Sequence, residues 1–165
     1  MKSNSIFLLL IGICLYPVLF YGQDQSTSVS VNANVQSTIE LITINDIRLG
    51  SIQPGQVEVV IEPNRDSNSG SMIARGRPNA EISIHYIEEH ILTRAEGNET
   101  LTFYYQVAGH TEDNQVASEV LDGFSRDMKF NEDGEYFLWV GGRVNIENAV
   151  YGAYDGEFTI EIEYL

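Results

Sequence analysis

Two-residue alternation of apolar and polar side chains constrains this chain more than any other feature. At the C-terminus Phe158, Ile160, Ile162 and Tyr164 share one parity, while Glu157, Thr159, Glu161 and Glu163 share the other. Successive side chains on a strand point to opposite faces, so one face of this segment is apolar and the other carries carboxylates. The same period runs through Val29, Val31, Ala33 and Val35, through Val57, Val59 and Ile61, through Ile82, Ile84 and Tyr86, and through Leu101, Phe103, Tyr105 and Val107. The run from Glu135 to Ile146 is continuously apolar up to Gly141-Gly142, which predicts a strand buried on both faces or bulged at the glycines. Turn signals separate the runs: Gln53-Pro54-Gly55, Asn68-Ser69-Gly70, Gly76-Arg77-Pro78-Asn79, Glu96-Gly97-Asn98, Asp133-Gly134 and Asp155-Gly156. Residues 113–122 are expected to form one short helix or a loop. Short strands at this spacing predict an all-β fold, a single antiparallel β-sandwich.

An apolar run from Ile6 to Phe20 follows Lys2 and is broken by Pro17, the pattern of a secretory signal peptide. The expected division is 1–22 as signal peptide, cut after Gly22, and 23–165 as the sandwich domain. A lipobox reading of Cys14 is the alternative, but the bulky Ile13 and the apolar Leu15 and Tyr16 oppose it. Cutting after Gly22 removes Cys14, so thiol and zinc-thiolate chemistry are excluded from the exported chain. It also removes Lys2, which leaves eight basic residues against 24 acidic ones, a charge of −16. So acidic a chain lacks the basic footprint that phosphate binding needs, which argues against nucleic acid. With 43% hydrophobic residues it is too apolar for a disordered acidic tail. No transmembrane span is expected in the exported part. The location that follows is secreted or cell envelope.

Candidate chemistry is sparse. His85 and His90 flank Glu88 and Glu89, but in neither zinc-helix spacing, and on one strand their opposite parity would face them apart. Residues 64–70, Asn-Arg-Asp-Ser-Asn-Ser-Gly, offer oxygens at alternate positions as calcium loops do, with Arg75 where a bidentate Glu would be needed. Ser69, Ser71 and His110 belong to no nucleophile elbow. Asn98-Glu99-Thr100 is a formal glycosylation sequon. Tyr104, Tyr136, Tyr151 and Tyr154 are candidates for sugar stacking, whereas Trp139 reads as core. The resulting expectation is no catalytic, cofactor-binding or metal residue, no cofactor, and no enzyme.

Three blocks, in order, carry a resemblance. Ile47-Arg48-Leu49-Gly50-Ser51-Ile52, then Gly76-Arg77-Pro78-Asn79-Ala80 followed by Ile82 and Ile84, then Gly152-Ala153-Tyr154-Asp155-Gly156 running into the alternating end, together resemble the bacterial domain-of-unknown-function family 4402. The resemblance implies a secreted or envelope immunoglobulin-like sandwich with no established activity. More loosely it points to spore-coat-U-like and pilin subunits, which end in a similar strand with a penultimate aromatic, here Tyr164. It implies a non-enzymatic structural or surface protein, a filament or adhesive-coat subunit, with partners or further copies met through sheet edges. Ser26 to Gln36 is expected to be the first strand of its own sandwich, the alternative being an arm that completes a neighbour's sheet. A carbohydrate- or calcium-binding module using Asp66, Asn68, Tyr151 and Tyr154 is the alternative function.

Overall fold

Inward-facing apolar rows from two antiparallel sheets meet in one core, in a computed structural model that describes residues 38–49 and 55–165. The signal-peptide stretch, the alternating segment 29–35 and the Gln53-Pro54 turn lie outside the described residues. The strands are β1 (Glu40–Asn45), β2 (Glu58–Ile61), β3 (Gly70–Arg75), β4 (Glu81–Tyr86), β5 (Glu89–Arg94), β6 (Thr100–His110), β7 (Glu119–Leu121), β8 (Phe124–Lys129), β9 (Glu135–Asn145), β10 (Tyr154–Asp155) and β11 (Ile160–Tyr164). The larger sheet runs β1-β3-β9-β6-β5-β10, with β2 also on β9 and β7 also on β6. The smaller sheet runs β11-β4-β8. All-β architecture in two antiparallel layers is what the period-two pattern predicts.

The long strands β9 and β6 pair from Phe137↔His110 to Val144↔Phe103 and form the spine. Their inward residues Leu138, Val140, Val144, Phe103 and Val107 join Ile82, Ile84 and Tyr86 of β4 in one buried cluster. Each such side chain contributes roughly 1.5–3 kcal/mol by leaving water. The spine is longer than its neighbours, so each of its outer edges is covered by two short strands. β2 and β3 lie end to end along β9, and residues 62–69 loop out between them opposite Gly141. A Cβ on Gly141 would run into the Ile61 carbonyl, so only glycine lets the loop cross there. Gly142 has φ of 147°, and a Cβ on it would meet the Tyr104 carbonyl. Both halves of the sequence expectation for this run therefore hold: β9 is buried on both faces at Leu138, Trp139 and Val140, and its glycines mark an irregularity.

The chain changes sheet at tight corners. β4 passes to β5 through Ile87-Glu88, and β7 passes to β8 through Asp122-Gly123. The two corners are tied together: the Tyr86 amide donates to the Gly123 carbonyl (3.0 Å), the Gly123 amide to Glu88 Oε1 (3.2 Å), and the Tyr86 hydroxyl to the Leu121 carbonyl (2.9 Å). At the opposite end Tyr164 accepts a hydrogen bond on its hydroxyl from the Arg77 amide (2.9 Å), with the Arg77 guanidinium 4.3 Å above its ring. The penultimate aromatic thus fastens the last strand to the β3–β4 turn.

Residues 113–122 form neither a single helix nor a plain loop. A 3₁₀ turn, Gln115–Ala117, capped by Asn114, leads into β7. Three residues of apolar–polar pattern are too few to declare a strand by period, and β7 exists because the edge of β6 is there to pair with it.

Burial sets an alkaline limit on the fold. Tyr136 is pushed up to about 12, first by burial and then by the Glu119 charge, and burial also raises Tyr86 and Tyr105. A tyrosine held above its ordinary value of about 10 stabilises the fold fully below that pH, and the contribution is lost as pH climbs through the raised value. An absorbance titration of tyrosinate is expected to show Tyr86 and Tyr136 ionising only together with loss of near-ultraviolet circular dichroism, above about pH 10. Full ionisation near pH 10 with the dichroism intact would contradict the burial argument.

Candidate binding cavity on the larger sheet

The smaller sheet does not cover the whole inward face of the larger one, and a cavity of about 520 Å³ remains beneath β1 and the segment leading into β11. Strand ends and aromatic rings build it. Phe103 and Tyr105, two apart on β6, project to the same side with ring centroids 4.6 Å apart, and Phe158 lies 4.7 Å from Tyr105. Tyr154 completes the aromatic lining, its hydroxyl donating to the Val150 carbonyl (3.0 Å). Asp46, after β1, and Asp155, on β10, add the carboxylates. Both are exposed.

Tyr105 stands out within this lining. The residue is 7% exposed, yet among the described residues its hydroxyl has no hydrogen-bond partner, unlike those of Tyr86, Tyr136, Tyr154 and Tyr164. Among the described residues no fully enclosed side-chain nitrogen or oxygen lacks a partner. The Tyr105 hydroxyl is therefore not enclosed, and the cavity it lines is the space it opens onto. Reading Tyr105 as one member of a core row finds its ring but not this hydroxyl. No sequence signal separates a core tyrosine with a partner from one without, because the difference depends on where the opposing sheet stops.

The candidate residues taken from the sequence scatter. His85 and His90 lie on different sheets, on β4 and β5 across the Ile87-Glu88 corner. His85 is exposed, with Nδ1 4.0 Å from Glu161 Oε2 and its ring edge-on to Phe124. Among the described residues no three His, Cys, Asp or Glu side chains gather where one ion could be held. Ser69 Oγ is bonded by Gln115 and Ser71 Oγ by Asn45. His110 accepts on Nδ1 from the Glu112 amide (3.0 Å). Glu157, Glu161 and Glu163 are all exposed, as the alternation predicts, and Asn98 is exposed on the β5–β6 turn.

Residues 64–70 do converge their oxygens, but on a side chain of the protein. Gln115 Nε2 donates to the Pro63 carbonyl (2.8 Å), the Asp66 carbonyl (2.9 Å) and Ser69 Oγ (2.8 Å). Asp66 Oδ1 meanwhile accepts from the Asn68 amide (2.9 Å). An amide nitrogen thus occupies the point towards which a calcium loop would turn its oxygens. The Gln115 bonds also tie the 3₁₀ turn to this loop, while Trp139 projects from the outward face of β9. Trp139 is 6% exposed and stacked with Phe137, outside the main core cluster.

The four tyrosine candidates divide. Tyr136 is a correction: it is 4% exposed and belongs to the core, since its parity on β9 is that of Leu138 and Val140. Tyr104 projects outward beneath the Arg143 guanidinium (5.4 Å). Tyr151 is 98% exposed, on a loop whose backbone Arg94 Nη1 fixes by donating to the Tyr151 carbonyl (3.0 Å).

Neither a scan of protein-family models nor a search of curated proteins finds a match to the chain. No helix among the described residues is long and apolar enough to cross a membrane.

Replacing Gln115 with Ala is expected to cost about 1–3 kcal/mol, because two carbonyls and a hydroxyl lose one shared donor. Urea denaturation would read the loss. Faster amide exchange in residues 62–69 should accompany it, and unchanged exchange there would show that Gln115 does not hold the loop.

Proposed function

We propose that this chain is a non-enzymatic structural protein of the cell envelope or surface, a subunit that meets further copies through its sheet edges. The observation that carries the reading is β11. It is paired with β4 on one side from Ile160↔Tyr86 to Tyr164↔Ile82, and among the described residues it has no strand on its other side. An unpaired edge presents a row of main-chain donors and acceptors that another strand can satisfy. Its Tyr164 anchor holds that edge in a fixed place. Among the described residues β1 is likewise an edge strand, paired only with β3. Glu161 and Glu163 on the exposed face repel indiscriminate neighbours, which favours an incoming strand without like charge.

Ser26 to Gln36 has that character, with Val29, Val31, Ala33 and Val35 alternating against Ser30, Asn32 and Asn34 and no charge among them. In this reading the segment of one copy adds to β11 of the next, by main-chain hydrogen bonds with its valines turned inward. Export by the N-terminal leader and the resemblance to family 4402 and to pilin-like subunits point the same way. Protein beginning at Gln23 is expected to form concentration-dependent oligomers in sedimentation, and protein beginning at Ser37 to stay monomeric and bind a synthetic peptide of residues 26–36. A strict monomer at high concentration in both forms would count against assembly.

A further inference from the structure

We propose that the cavity on the inward face of the larger sheet is a binding site for a compact aromatic molecule, neutral or cationic, whose body carries one hydrogen-bond acceptor for Tyr105. The inference does not rest on the assembly reading. That reading uses the main-chain edge of β11, whereas this one uses an interior hydroxyl and the rings around it.

Three observations set the ligand's chemistry. The first is size and lining: about 520 Å³ with Phe103, Tyr105, Tyr154 and Phe158 among its walls falls within the roughly 300–1,000 Å³ typical of small-molecule sites. Aromatic rings tilted at 49° and 47° to one another offer both faces and edges, the arrangement that receives another ring. The second is the unpartnered hydroxyl. Burial raises Tyr105 above the ordinary tyrosine value, so at neutral pH it is a phenol, a donor as well as an acceptor. Opening onto the cavity with no protein partner among the described residues, it is free to donate to an acceptor bound there. The third is charge. Asp46 and Asp155 add only negative groups to the lining, on a chain already strongly acidic, so an anionic ligand is disfavoured.

The neutral dye Prodan has this chemistry, a flat naphthalene with one ketone oxygen, and its emission reports both burial and hydrogen bonding. Titrated into the chain from Gln23 onward, it is expected to saturate at one site with a blue-shifted emission. Tyr105→Phe keeps the ring and removes the hydroxyl, and it should weaken binding about three- to tenfold. Thr43→Trp places a large side chain at an exposed strand position of the lining and should abolish the signal, with far-ultraviolet circular dichroism unchanged. The anionic dye anilinonaphthalene sulfonate should bind at least tenfold more weakly than Prodan. Failure of Prodan to bind, or binding indifferent to both substitutions, would overturn the proposal. Loss of oligomers on deleting residues 23–36 with Prodan binding retained would separate this site from the assembly edge.

Discussion

Burial of the inward rows of β9 and β6 against β4 is the interaction on which the rest of the structure depends. Leu138, Val140, Val144, Val107, Ile82 and Ile84 are each essentially inaccessible to water, and they come from three strands that belong to two sheets. Those strands cannot meet unless the chain changes layer between them, so the corners at Ile87-Glu88 and Asp122-Gly123 follow from the packing. The Tyr86 and Glu88 hydrogen bonds then hold the corners once the layers have met. Local preference alone would let each run form a strand without saying which sheet it joins.

The two sheets are unequal, and much of the chemistry follows from that inequality. Three strands facing a larger sheet leave part of its inward face uncovered, and there the aromatic lining of the core becomes the wall of a cavity. Tyr105 packs its ring against Phe103 and Phe158, and among the described residues its hydroxyl opens onto that cavity without a hydrogen-bond partner. On the outward face of the larger sheet the opposite happens. Trp139 projects there, 6% exposed and stacked with Phe137. Layer mismatch thus produces an opening on one side of β9, while a buried aromatic lies on the other.

The polar loop at 62–69 shows how one composition can serve different ends. Oxygens at alternate positions satisfy a bound cation or a buried donor equally well, and only the identity of the group at their focus distinguishes the two. Here that group comes from Gln115, about fifty residues away in sequence, so no local pattern could have revealed it. The histidines make the same point. His85 and His90 read as two residues of one strand with opposite parity, yet a two-residue corner puts them in different sheets.

What the sequence by itself determined is the class of structure and much of its core. A period of two over six or more residues admits only strands, and in β4, β6 and β11 the parity separates the more buried side chains from the exposed ones because each strand has one apolar face to hide. Gly141-Gly142 announced an irregularity in β9 because glycine weakens a strand unless something must approach closely. Tertiary structure alone decided which strands became neighbours, where β7 could form, and that the Tyr105 hydroxyl has no partner among the described residues. Those outcomes depend on where one layer ends above another, and the extent of a layer is set by long-range pairing that alternation within a single strand does not encode.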